Sequence, residues 1–311
     1  MTGIEDSDHR FIRNTTIKRR RVMLVLFTDT DTDLTPKLAE EYGYHLISMP
    51  YSVNGREIKP YEDYKKFDAH EFYQMMRDGI LPSTSAINGY DYEKYFEPVF
   101  AAGNDILYVH FSRAMSATFD YMDEAVKKLL EKYPERKFYT VDTKGITIGS
   151  LNIVKEIGDL YKAGKSAEEI LAWAKEEVDR FAVYFFADNL TFFRRSGRVS
   201  GLAGVMGNMI GVRPIIYMDE NGKMVSIGKE RGRYNAMDKL MEYVNELADD
   251  IYSHRVLIAH ADAPELADRM KNMLIEKYGD KLRIEINQVN PTAGSHCGPD
   301  TLGVSFHAKH R

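Results

Sequence analysis

The chain has 311 residues, 44% hydrophobic and 29% charged, an ordinary balance for a folded globular protein, and its length favours two domains over one. A formal net charge of −5 argues against nucleic acid or an anionic membrane as partner. The single cysteine, Cys297, leaves no internal disulfide and suits a reducing cytoplasm.

Residues 1–21 are polar and basic, closing on Arg19, Arg20 and Arg21, and are expected to form an N-terminal arm outside the fold. The apolar run 22–27 is too short for a secretory core and leads straight into Thr28 and Asp29, so it reads as a buried first strand. A helix is expected over 35–42, a strand over 45–53 ending at the Asn54-Gly55 turn, and a helix over 69–78. A second buried strand, 105–111, runs into a Ser-rich loop. Phe119, Met122, Val126, Leu129, Leu130 and Tyr133 then recur at helical spacing. A strand at 137–141 and a helix at 147–163 continue the alternation. That alternation implies parallel pairing, and hence a layered α/β domain with a mainly parallel sheet over 22–164.

Gly164, Lys165 and Ser166 mark a boundary, and Ser166 with Glu169 forms a capping-box signature for a helix running to 179. Strands at 182–186, 215–218 and 224–227 follow, the last two joined at Asn221-Gly222. A helix at 234–248, a strand at 255–260, a helix at 264–278 and a strand at 282–288 complete an α+β domain over 165–311. Leu202, Val205, Met206, Met209 and Ile210 supply adaptable apolar surface, suited to ordinary core or to a flexible ligand. Asn208 and Arg213 interrupt that stretch, so no stable membrane insertion is expected.

Ligands of α/β sheets gather beyond the carboxyl ends of the strands. Ser112 to Ala117 lie there, ahead of a helix whose N-terminus would favour an anion. Ser116 has two readings, a helix cap or a hydroxyl offered to that anion. Pro82, Ser83, Thr84 and Ser85 form a hydroxyl cluster, and Gly294 to Pro299 place His296 in a glycine-bounded loop. Cys297 beside it reads as a passive small residue. Arg194, Arg195 and Arg198, then Lys229, Arg231 and Arg233, make two short basic clusters, solvated charge or a landing site for phosphate or an acidic partner. Asp31, Asp33 and Thr35 are similar to the Asp-x-Asp-x-Thr pattern of haloacid-dehalogenase-like phosphotransferases. The intervening Thr28, Asp29 and Thr30 depart from that pattern, and capping or Asx-turn roles compete with it.

In this order, from residue 22 to about residue 306, these motifs resemble the DegV family of bacterial fatty-acid-binding proteins. Thr28 to Leu34 look like its ITDS-type opening, Pro82 to Ser85 like its P-x-T-S element, and Ser112 to Phe119 like its SS-x-x-SGTY element. Arg194 to Val199 are similar to its R-x-G-R-I segment, and Pro291 to Val304 to its G-T-H-T-G-P-G close. The resemblance implies two α/β-type domains with a long-chain fatty acid in a buried tunnel between them. It implies a carboxylate held at Thr84, Ser116, Ala117 and His296, with no catalytic residue, metal or cofactor. It further implies a carrier that presents the acid to a separate fatty-acid kinase for acyl-phosphate formation, with Arg198, Lys229, Arg231 and Arg233 facing that partner. Ala117 stands where the family usually has glycine, which predicts a less close backbone approach to the carboxylate. The rival reading is a magnesium-dependent phosphotransferase using Asp31 and Asp33.

Overall fold

The computed structural model describes residues 22–201 and 211–311. The basic arm, and with it Leu202, Val205, Met206, Met209 and Ile210, lies outside the described residues.

The first half is built as the alternation predicts. Strand β1 (Leu24–Asp29) is followed by helix α1 (Pro36–Tyr42) and β2 (Tyr44–Ile47). Two short strands, β3 (Tyr51–Val53) and β4 (Arg56–Ile58), then helix α2 (Ala69–Arg77) and β5 (Ser83–Thr84) come next. Helix α3 (Gly89–Ala101), β6 (Asp105–His110), α4 (Thr118–Lys132), β7 (Phe138–Asp142) and α5 (Ile148–Lys162) complete it. The main sheet runs β2-β1-β6-β7 and every pairing in it is parallel. Its central strands need burial on both faces, which explains their unbroken apolar runs.

One expected strand is divided. Residues 45–53 form β2, paired parallel to β1, and then β3, which leaves that sheet and pairs antiparallel with β4 and β5. Pro50 lies between them and has no N–H to give a ladder. Helix α3 was not legible: its buried stripe is aromatic, Tyr92, Phe96 and Phe100, and Pro98 stands inside it.

The second half contains α6 (Ala167–Glu177), β8 (Phe181–Phe186), α7 (Leu190–Ser196), β9 (Val199–Ser200), β10 (Val212–Met218) and β11 (Met224–Arg231). Then come α8 (Arg233–Leu247), β12 (Arg255–His260), α9 (Pro264–Tyr278), β13 (Arg283–Gln288), α10 (Pro291–Cys297) and β14 (Leu302–His307). The seven-stranded sheet has the order β13-β12-β14-β8-β10-β11-β9 and is mixed. Ser166 caps α6 in the expected capping box, its hydroxyl accepting from Glu169 N–H.

Helix α5 is buried almost continuously from Ile148 to Gly158 because it lies between the two halves. It packs on β8, β12 and β14 on one side and on α1 and the turn after β1 on the other. A single hydrophobic core therefore contains Leu26 and Val109 of the parallel sheet together with Val183 and Leu257 of the mixed one. No helix among the described residues is long and apolar enough to cross a membrane.

Candidate functional site

His296 does not sit in a loop. It occupies the last turn of α10, a seven-residue helix with strong local signals at both ends. Asn290 caps it by accepting from Ala293 N–H at 2.9 Å, Pro291 takes the first helical position, and Gly298 ends it at φ 76°. Asn290 is itself clamped by Asp33, whose Oδ1 accepts from the Asn290 N–H and Nδ2 at 2.9 and 2.8 Å. Thr292 and His296, four residues apart, face the same way.

Thr84 reaches the same place from the small sheet, where it pairs with Tyr51. Its hydroxyl lies 2.9 Å from His296 Nε2. The Arg195 guanidinium donates to the carbonyls of Leu81 and Pro82 and so fixes the chain just ahead of Thr84. Burial pushes the His296 imidazole down to about 4, with the nearby Arg198 and Arg195 charges adding to the effect. The ring is thus neutral near pH 7, with one nitrogen able to donate and one to accept.

The Ser-rich segment supplies the third wall. Ser112 accepts from Ala114 N–H and donates to the carbonyl of Gly222, at 2.7 Å, on the β10–β11 hairpin. A side chain at Gly222 would meet the Ser112 hydroxyl at 2.2 Å, so the two halves close here only over glycine. The residue at the cap of α4 is Ala117, one position later than Ser116, and it makes no side-chain cap. Ser116 instead accepts from Thr118 N–H at 3.2 Å. Ala117 has φ −73°, a conformation open to any residue, so alanine stands there without strain.

Thr84, Ser116, Ala117 and His296 line one cavity of about 210 Å³ between the two halves. A void that holds a single water needs only about 10–15 Å³ on the same measure, so this space is no packing defect. Much of its lining is apolar: Ile148 from α5, Val183 and Phe185 from β8, Phe193 from α7, and Met218 and Met224 from the hairpin. An outer cleft of about 590 Å³ shares Ser116, Ala117 and Arg198 with it and adds Arg113 and Lys223.

Arg198, expected to face a partner, lines both the cavity and the outer cleft, its guanidinium donating to the carbonyl of Ser196 at 2.5 Å. Lys229 and Arg231 are exposed on β11, away from the cavity lining. Arg233 is already paired, with Asp188 at 2.6 Å and Asp300 at 3.0 Å. Cys297 is buried, its thiol pushed up to about 12 by desolvation.

The three early aspartates divide their work. Asp29 accepts from Tyr108, Phe111 N–H and Asp31 N–H, and Asp33 serves α10. Burial raises both to about 7. Asp31 alone lines the cavity. Among the described residues no group of three His, Cys, Asp or Glu is arranged to hold a metal ion. Sequence reasoning did not place Asp31 or Thr292 at the ligand cavity, although Asp31 stands two residues past a parallel strand, where ligands of such sheets gather.

A model of the DegV family, described as uncharacterised protein, DegV family, matches residues 23–309. A DegV domain-containing protein of Clostridium perfringens is 31% identical over 282 residues, 91% of this chain and 96% of the relative. One from Lactococcus lactis is 26% identical over 279 residues, 90% of this chain and 96% of the relative. Among solved structures, a DegV lipid-binding protein of Thermotoga maritima has a TM-score of 0.77 at 22% identity, covering 93% of this chain and all of that one. A stearic-acid-binding protein of Eubacterium ventriosum reaches 0.80 at 17% identity, covering 92% and 99%. A family match that runs from β1 through β14 makes this chain a member of the DegV family.

Proposed function

We propose that this protein sequesters a long-chain fatty acid, tail inward, and is a carrier with no catalytic activity of its own. The observation that carries the reading is the Thr84–His296 contact at 2.9 Å, on a cavity that Ser116 also lines and whose remaining walls are largely apolar. Structural relatives described as fatty-acid-binding proteins, from Thermus thermophilus and Bacillus subtilis, support it.

The physics divides by ligand part. Burying a chain of about sixteen carbons yields roughly 10 kcal/mol gross at about 0.8 kcal/mol per methylene. Lost ligand freedom offsets several kcal/mol of this. The carboxylate would be costly if buried alone. Two hydroxyls and a neutral imidazole solvate it, the backbone at Ala117 borders it, and Arg198 at the mouth supplies positive charge without a buried ion pair.

A head group at the mouth is also the part another protein can reach. In this reading the carrier works in the cytoplasm and presents the carboxylate to a separate fatty-acid kinase, which docks over Arg198, Lys229 and Arg231. Arg233 braces that face through Asp188 and Asp300. Mass spectrometry of a solvent extract from purified, unfolded protein tests the binding step. About one equivalent of long-chain fatty acid is expected; an extract without lipid, from a protein that also fails to take up added acid, would refute the reading.

A further inference from the structure

Helix α2 belongs to the first half of the chain but turns one face to the second. His70, Tyr73 and Arg77, spaced three and four residues apart, lie on that face. Tyr73 donates to the carbonyl of Val289 at 3.0 Å, and a side chain at Gly294 would meet the Tyr73 hydroxyl at 2.3 Å. Helix α2 therefore rests directly on α10, the helix that carries His296. One turn further on, the Arg77 fork completes the contact. Its Nη1 donates to Asp262 Oδ2 at 2.6 Å, and its Nη2 to the Asp262 carbonyl at 3.2 Å and to Asp300 Oδ1 at 2.9 Å. His70 Nδ1 lies 3.1 Å from the same Asp262 carboxylate.

The two acceptors are fixed in advance. Asp262 follows β12 and Asp300 precedes β14, antiparallel neighbours in the mixed sheet. Their turns bond each other, Asp300 N–H to the Ala261 carbonyl at 2.7 Å and Ala261 N–H to the Thr301 carbonyl at 2.9 Å. Both aspartates take the left-handed backbone, φ 54° and 62°, which this residue type tolerates better than most. A planar guanidinium suits two carboxylates held this way; a single ammonium does not. Arg77 stands seven residues before Thr84, and Arg195 grips the carbonyls of Leu81 and Pro82 between them. We propose that Arg77 is a positioning residue for ligand binding: by anchoring α2 to Asp262 and Asp300 it sets where Thr84 meets His296, and so the geometry in which a carboxylate is held. This inference rests on the fatty-acid reading above.

The test is a double-mutant cycle on delipidated full-length protein, with the affinity for palmitic acid as the readout. Thr84→Val keeps the side-chain shape, removes the hydroxyl and should weaken binding about tenfold, the size of one net hydrogen bond to a charged group. Arg77→Gln should weaken binding about fivefold when Thr84 is present and less than about twofold once Thr84 is valine, because it acts through that hydroxyl. Asp300→Asn breaks the fork from its other side and should repeat the pattern, which keeps the test open if Arg77→Gln does not fold. The same loss in both Thr84 backgrounds is the mark of a merely structural role and overturns the inference. Unchanged affinity in Arg77→Gln overturns it too, and in both cases the fatty-acid reading stands. Wild-type protein that takes up no palmitic acid removes both.

Discussion

The two sheets meet the same cavity in opposite ways. The parallel sheet offers it loop and helix-start residues from beyond strand ends, Asp31, Phe111, Ser116 and Thr147, most of them polar. The mixed sheet offers it the faces of strands, Val183, Phe185, Met218 and Met224, nearly all apolar. A parallel sheet ends all its strands on one edge and collects turns there, whereas a strand face presents every second side chain to what lies above it. The first arrangement suits a head group and the second a hydrocarbon tail. Affinity should therefore reside with the strand faces of the mixed sheet, and orientation with the turns of the parallel sheet together with Thr84 of the small sheet and His296 of α10.

The largest effect should come from filling the apolar side. Val183→Trp is expected to lower fatty-acid retention at least about a hundredfold, at a stability cost of about 1–3 kcal/mol for overpacking. Retention measured by mass spectrometry beside a urea titration separates the two. Comparable retention with an intact fold would mean the tail lies elsewhere.

The polar end should show itself next, through pH. Native His296 is depressed to about 4, whereas the unfolded residue takes a proton near its ordinary 6.5. Stability contributed by the neutral ring is present above about 6.5 and is lost as pH falls through about 4, up to about 3 kcal/mol. Urea titrations across that window should show this acid sensitivity in wild type and its removal in His296→Gln. The same variant should retain fatty acid about tenfold less well, far short of the loss in Val183→Trp.

The joint between the sheets gives a smaller effect. Gly222→Val places a branched side chain at φ 73° against the Ser112 hydroxyl and should cost about 2 kcal/mol in a urea titration. Weakest of all, Lys229→Glu with Arg231→Glu should leave stability within about 0.5 kcal/mol and lipid retention unchanged, since both residues lie on exposed β11. The same change should slow phosphorylation of the bound acid by a fatty-acid kinase. An unchanged rate would move the docking face away from β11.

Much of this architecture was legible from local pattern. Periodicity located the parallel strands and most helices, because burial on two faces or one stripe leaves a direct mark. It failed where packing overrode composition. Helix α3 hides behind Pro98 and an aromatic stripe, and β14 hides behind Gly303 although it sits in the middle of the mixed sheet. Helix α10 is only two turns long and contains Gly294, so a loop was expected. At the cavity, Thr84 and His296 came from the family resemblance; nothing in their spacing of 212 residues could show that they touch. Arg198 was legible as a cation but not as a cavity residue, because that depends on how α7 turns into β9.

The most direct test of a buried carboxylate beside His296 is NMR of palmitic acid labelled with carbon-13 at its carboxyl and bound to delipidated protein. The account predicts one bound resonance, distinct from free acid and constant from about pH 5 to pH 8, where the imidazole stays neutral. It should shift in His296→Gln and stay put in the β11 charge reversal. A carboxyl signal that titrates like free acid, or ignores the loss of His296, would contradict it.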